Sequence, residues 1–175
     1  MHFETSRLIL RPVNQNDFDS WYEILSDAQT MRHYPKPYDT KGVQRWIDWT
    51  LSNYEQYGFG LWAVTLKENG KFIGDCGITM QNINGQMLPE IGYHIHKSYW
   101  RKGYASEAAL KCMEYAFGTL HFPAVYSYMT SANVASYGVA LKNGMRLVEE
   151  YVDEQQVPHR VYALTIEEWK KQHEI

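Results

Sequence analysis

The chain has 175 residues, is 45% hydrophobic and 21% charged, and carries a formal net charge of −3, as expected of one globular domain with a substantial core. It lacks both the basic stripe of a general nucleic-acid binder and a run of about 18 apolar residues that would cross a membrane. Its two cysteines, Cys76 and Cys112, fall in an expected strand and an expected helix, so reduced core thiols and a cytoplasmic location are expected.

The opening MHFETSRLIL has no basic n-region or small-residue cleavage site and is not read as a signal peptide. Thr5–Val13 reads as a strand that Pro12 stops. A helix follows over Asn16–Ser26, with Phe18, Trp21, Tyr22 and Leu25 on one face and Asn14 or Asn16 as cap. The loop over Asp27–Asp39 holds Pro35 and Pro37, which exclude helix. It is unusually aromatic, and Met31, His33, Tyr34 and Tyr38 are candidate walls of a substrate site. Val43, Trp46, Ile47, Thr50, Leu51 and Tyr54 predict a helix over Thr40–Tyr57, ended by Gly58. Phe59–Leu66 and Lys71–Met80 form a hairpin through Asn69-Gly70, and Gln81–Gln86 is a turn before a strand over Pro89–His96. After the helix over Tyr104–Thr119 come a short strand to Met129, a helix over Ala132–Asn143 that Ser131 can cap, and strands over Met145–Asp153 and Arg160–Leu164. Thr165 with Glu168 has capping-box spacing for a last helix.

Leu88–Ala109 is the most informative stretch. Glu90, Gly92, His94 and His96 alternate with Ile91, Tyr93 and Ile95 as in a pleated strand. Lys97, Arg101 and Lys102 cluster around Gly103. Beyond it, Ala105, Ala108, Ala109, Cys112, Met113, Ala116 and Phe117 mark one helical face. A helix that opens after a basic, glycine-bearing loop aims unpaired backbone N–H groups and its positive dipole end at whatever lies before it. That is an anion site, most naturally for phosphate. A Walker loop would need Gly-x-x-x-x-Gly-Lys-Ser/Thr, which is absent.

The element order and four segments resemble the GNAT acetyltransferase superfamily, and within it the RimJ/RimL branch of ribosomal-protein N-terminal acetyltransferases. The segments are TSRLILRPV with Asp17, EIGYHIHKSYWRKGYASEA, NVASYGVALKNGM and the closing hairpin. The resemblance implies an α/β fold: one domain over residues 1–175, with a mixed, mostly antiparallel central sheet, splayed central strands and flanking helices. It also implies acetyl-CoA as co-substrate and a primary amine as acceptor, either a protein N-terminus or a small amine. Dimers are common in this branch, so a homodimer is a further expectation. Trp100 and Ala105 depart from the superfamily's usual loop pattern, and Met145 replaces a Phe.

The resemblance assigns the pyrophosphate to the backbone N–H groups of Arg101, Lys102, Gly103, Tyr104, Ala105 and Ser106, with charge from Arg101 and Lys102 and a hydroxyl from Ser106. His94 and Ile95 lie along the pantetheine arm through main-chain atoms, and Asn133 bonds the cofactor. Glu90 is the candidate base, acting directly or through water. Its alternative reading is a structural carboxylate. The superfamily's tyrosine acid falls at Ala140, so Ser136, Tyr137 or water must protonate the thiolate. Ser136 shares a helix face with Asn133, whereas Tyr137 points about 100° away from Ser136. His94 and His96 form a His-x-His pair without a third ligand, so no metal is expected. Two other classes fit the same features: a non-catalytic acyl-CoA-binding or sensing domain, and a nucleotide-binding module.

Overall fold

The computed structural model describes residues 1–175. The strands are β1 (Phe3–Glu4), β2 (Leu8–Pro12), β3 (Leu61–Leu66), β4 (Phe72–Ile83), β5 (Gln86–Ile95), β6 (Ala124–Thr130), β7 (Arg146–Val152) and β8 (Pro158–Thr165). The helices are α1 (Phe18–Leu25), α2 (Thr40–Tyr57), α3 (Tyr104–Gly118), α4 (Val134–Lys142) and α5 (Ile166–Gln172). The eight strands form one sheet in the order β1-β2-β3-β4-β5-β6-β8-β7. Every neighbouring pair is antiparallel except β5 and β6, which run parallel.

The expected apolar stripe of α3 packs on one face of the sheet. Ala108, Ala109, Cys112, Met113, Ala116 and Phe117 meet Cys76, Ile78, Ile91, Ile95 and Val125 in the larger core cluster. The thiols of Cys76 and Cys112 are buried, free and 3.6 Å apart. The other face carries α1 and α2, with Trp21, Ile24, Leu25, Val43 and Ile47 closing on Leu61 and Ala63. Covered on both faces, β3 is buried at all its positions, while the outermost strand β7 is almost wholly exposed. Strand alternation therefore turns Ile91, Tyr93 and Ile95 toward α3, and Glu90, Gly92 and His94 toward α1 and α2.

Three local expectations need correction. The strand expected over Thr5–Val13 is β2, which starts only at Leu8, and a further short strand, β1, precedes it and pairs with it as Phe3↔Leu10 and Glu4↔Ile9, because the chain reverses over Thr5–Arg7. The turn expected over Gln81–Gln86 is only Asn84-Gly85, and the β4–β5 ladder runs on to Ile83↔Gln86. Both turn residues have positive φ, 47° and 90°, the geometry that matches strand twist and lets a hairpin pair to its end. Helix α4 is capped by Asn133 rather than Ser131, the Asn133 side chain accepting the Ser136 N–H at 3.2 Å. As expected, α2 stops at left-handed Gly58, and Thr165 with Glu168 forms the reciprocal cap of α5.

At Gly77 a Cβ would lie 2.0 Å from the Gly60 carbonyl oxygen, so β3 and β4 can approach only over a glycine. Gly77→Ala is expected to destabilise the fold by about 2 kcal/mol or more, since the clash is with backbone and cannot be relieved by a rotamer. Gly138→Ala in α4, where nothing lies within 4 Å of the new methyl, should stabilise by roughly 0.5–1 kcal/mol. Urea denaturation of the two variants checks both signs.

Candidate active site

The parallel pairing of β5 with β6 consists of one register position, Glu90↔Tyr126. Beyond it the Ser127 hydroxyl donates to the Ile91 carbonyl (2.8 Å), a side-chain bond where a ladder bond would otherwise stand. Main-chain groups of alternate residues face the same edge, so those of Tyr93 and the N–H of Ile95 also face the opening between the strands. The Ile95 carbonyl is already taken by the Trp100 indole N–H at 2.6 Å. The sequence thus places a row of main-chain donors and acceptors along a cleft, ending at the loop before α3.

That loop is shaped by two left-handed residues, Arg101 (φ 60°) and Gly103 (φ 82°). Gly103 is the N-cap of α3 and no side chain caps the helix, so the first-turn N–H groups, including those of Tyr104, Ala105 and Ser106, have no side-chain acceptor. Cations frame this end. A Cβ on Gly103 would lie 3.4 Å from the Arg7 guanidinium and 3.7 Å from the Lys142 ammonium, and Lys102 lies over the Tyr99 ring at 5.6 Å. Arg7 is held by Glu107 (2.7 Å), by the Lys102 carbonyl (2.9 Å) and over the Tyr104 ring at 4.3 Å. Burial alone would raise the Glu107 pKa. The hydrogen bonds from Thr5 and Arg7 outweigh it and hold Glu107 below its ordinary value. Ser106 departs from expectation: it is buried, and its hydroxyl donates to the Asn143 side chain, tying α3 to the end of α4 rather than facing an anion.

On the face toward α1 and α2, the Glu90 carboxylate lies over Gly92, where a Cβ would come within 2.8 Å of it, and accepts the Tyr128 main-chain N–H. Burial pushes its pKa up to about 8, offset only in part by His94 and that N–H. His94, across from Asp75 in the β4–β5 register, places Nδ1 3.1 Å from both Asp75 oxygens and Nε2 2.7 Å from the Tyr34 hydroxyl. Asp75 has no exposed surface and also accepts the Trp21 indole N–H at 2.7 Å. Tyr38 and Trp46 pack beside this group, their rings 5.6 Å apart and Trp46 edge-on to His94 at 6.1 Å.

The other expected residues divide. Met31 is 1% exposed and belongs to the core under α1 and α2, so it supports the loop from below and lines no cleft. His33 accepts from Arg32 at 3.2 Å and stands outside the bonds around His94. On the α3 face, the Tyr93 hydroxyl donates to the Ser136 carbonyl (2.7 Å), and the Ser136 hydroxyl lies 3.5 Å from it. Burial raises the Tyr93 pKa, so it stays a phenol with a proton to donate. Tyr137 stacks on Tyr162 under the Arg160 guanidinium, and Ala140 is sealed in the core. Asn133 spends its oxygen on capping. His96 turns to Glu23 (3.1 Å), away from His94, and no group of three or more His, Cys, Asp or Glu side chains is arranged to hold a metal ion. Sequence reading missed Asp75, Tyr93, Arg7, Glu107 and Lys142. Only Asp75 left a signal, as a lone charge within the apolar run FIGDCGITM.

The model of the acetyltransferase (GNAT) domain matches residues 7–146. The uncharacterized protein YkkB of Bacillus subtilis is 33% identical over 95% of this chain and 89% of its own length. An acetyltransferase structure from Agrobacterium tumefaciens superposes with a TM-score of 0.82 at 27% identity, covering 94% of each chain. The ribosomal-protein-S5-alanine acetyltransferase of Vibrio fischeri shares the fold, with a TM-score of 0.74 at 16% identity over 97% of this chain and 99% of its own. No helix is long and apolar enough to cross a membrane. A sheet that opens between β5 and β6 onto an uncapped helix, matched over most of its length by this domain, places the chain in the GNAT family of N-acetyltransferases.

Proposed function

We propose that the protein transfers the acetyl group of acetyl-CoA to a primary amine by direct attack in a ternary complex. The observation that carries this reading is the opening of the sheet beyond Glu90↔Tyr126, aligned with the uncapped start of α3. The donor set there fits the co-substrate. Arg101, Lys102 and the N–H groups through Ser106, with Arg7 and Lys142 added, suit a pyrophosphate. The main-chain edge of Tyr93 and Ile95 suits the amides of a pantetheine arm. The Ile95 N–H is the candidate donor to the thioester oxygen. No covalent enzyme intermediate is invoked, because both thiols are buried, and burial raises the Cys76 pKa further.

Glu90 lies on the acceptor side of the opening. With a pKa near 8 it holds its proton at neutral pH and becomes a base, directly or through water, as pH rises toward and past 8. An α-amine is about 15% neutral at pH 7, whereas a lysine amine is under roughly 0.1%, so an N-terminal or similar acceptor asks least of such a base. The RimJ/RimL-like segments favour a protein N-terminus, and the aromatic rings of Tyr34, Tyr38 and Trp46 suit a cationic acceptor. Ser136, its hydroxyl 3.5 Å from that of Tyr93, is the candidate hydrogen-bond donor to the departing sulfur in place of the acid absent at Ala140. Reduced, buried cysteines support a cytoplasmic site of action.

Acetyl-CoA and CoA are expected to raise the melting temperature, and ATP much less. Gly103→Ala should weaken acetyl-CoA binding about tenfold, since a side chain at that left-handed position crowds the cradle. Thermal-shift titration checks this. Stabilisation by neither CoA species would refute the reading, and binding without turnover of any amine would favour an acyl-CoA sensor.

Glu90 also makes a stability prediction. Its folded pKa of about 8 exceeds its ordinary 4.5, so the folded state holds the extra proton between those values and stability falls as pH rises through that window. Glu90→Gln should therefore raise the melting temperature of the ligand-free protein by a few degrees at pH 8 and leave it nearly unchanged at pH 4.5. In a thiol-release assay, Ser136→Ala should slow turnover by less than about tenfold, because a thiol of pKa near 8.5 is a tolerable leaving group.

A further inference from the structure

A buried carboxylate in an apolar strand is costly unless its lone pairs are used. Asp75 uses them on the Trp21 indole N–H and on Nδ1 of His94. An ionised carboxylate can only accept, so Nδ1 must carry the hydrogen of the neutral imidazole, and its lone pair is on Nε2. The Tyr34 hydroxyl, 2.7 Å from Nε2, must then donate to it. This leaves the Tyr34 oxygen with unused lone pairs, on a residue that is 40% exposed. The arrangement is that of a base oriented by a buried acid, extended by one hydroxyl to the surface of the acceptor side.

We propose that Tyr34, His94 and Asp75 form a second proton acceptor for the acetyl transfer, in which the Tyr34 hydroxyl meets the attacking nitrogen and His94 receives the proton through it. The proposal rests on the N-acetyltransferase reading above. Two protons leave the nitrogen when the amine arrives as an ammonium. One proton must leave before the nitrogen lone pair is free, and a second after the N–C bond has formed. Glu90 holds the first and later releases it to solvent. As the C–S bond breaks and sulfur leaves as thiolate, the second proton passes from nitrogen to the Tyr34 oxygen while Tyr34's own proton passes to Nε2. The imidazolium is balanced by Asp75 and returns its proton through water to the thiolate. The products are an amide, a thiol and one proton in solution.

The surroundings agree. His94 faces Asp75 on β4, Glu90 on its own strand, Tyr34 on the loop and the Trp46 ring on α2. Tyr38 and Tyr128 are the further titratable groups near Tyr34. Burial opposes charge on His94, but Asp75 and Glu90 outweigh it and raise its pKa. Burial first, then Glu90 and Asp75, keep Tyr34 a phenol.

The test uses acetyl-CoA with the fastest amine from a panel of N-terminal peptides and polyamines. Tyr34→Phe and His94→Gln should each lower kcat by about tenfold or more, within the range of general-base effects, with KM for acetyl-CoA unchanged. Asp75 is a positioning residue, and Asp75→Asn should move the His94 limb of the pH–rate profile to lower pH, while Glu90→Gln, which removes the smaller of the two charges' effects, should move it the same way by less. Nitrogen-15 NMR of the free protein at alkaline pH should show His94 protonated on Nδ1. A Tyr34→Phe enzyme with wild-type kcat and pH profile, or a His94 protonated on Nε2, would overturn the relay. Tyr34 is exposed, so its variant serves even where Asp75→Asn does not fold. Loss of the relay alone leaves acetyl-CoA stabilising the protein. Wild-type protein that acetyl-CoA does not stabilise would overturn the wider reading and the relay with it.

Discussion

Main-chain N–H and C=O groups inside a sheet must find partners, and at one place this protein withholds them. Beyond Glu90↔Tyr126 the ladder between β5 and β6 stops. A serine hydroxyl from β6 and a tryptophan indole from the loop after β5 take the main-chain carbonyls at the two ends of this gap, Ile91 and Ile95. Between them the strand edge stays available. A flexible acyl carrier that adds itself to this edge gains main-chain bonds without distorting the sheet, much as an extra strand does. The helix behind the edge and the aromatic loop in front of it have meaning only relative to this opening.

The protein's carboxylates divide by how completely they are bonded. Asp17 takes both arms of the Arg11 guanidinium, at 2.7 and 2.9 Å, and caps the turn before α1. Glu107 gathers Thr5, Ser6 and Arg7 against α3. Both act as fasteners. Glu90 instead has one main-chain donor and a glycine beneath it, and its charge is correspondingly expensive at neutral pH. The well-paired acids serve the architecture, and the poorly paired one lies in the cleft, which supports the role proposed for Glu90.

The architecture was legible because it rests on short-range signals. The α3 stripe, the Asn-Gly turns, Gly58 and the Thr165–Glu168 cap all act within a few residues. The Asp75–His94 pair was hidden by a single misreading, a turn drawn too wide. With only Asn84-Gly85 in the turn, Asp75 and His94 each stand nine residues from it and must face one another. Ser106 and Met31 were misread because burial depends on what packs above them: Asn143 lies 37 residues beyond Ser106, and the cluster that encloses Met31 runs on to Leu61 and Ala63. Arg7 and Lys142 reach Gly103 from opposite ends of the sequence, a convergence no local pattern encodes.

The grip of Thr5, Ser6 and Arg7 on Glu107 bears on how the protein is made. These partners are separated by 100 residues or more, so the first segment leaves the ribosome long before the helix it fastens exists. The cleft waits longer still. Its far wall, β6, is stitched on its other side to β8, which ends at Thr165. While β1 to β5 are already able to pair with one another, β5 presents an open edge to solvent or to any nascent neighbour. The edge that serves the finished enzyme is thus also its vulnerable surface during synthesis. Non-local closure of this kind favours slow, late completion over early local folding.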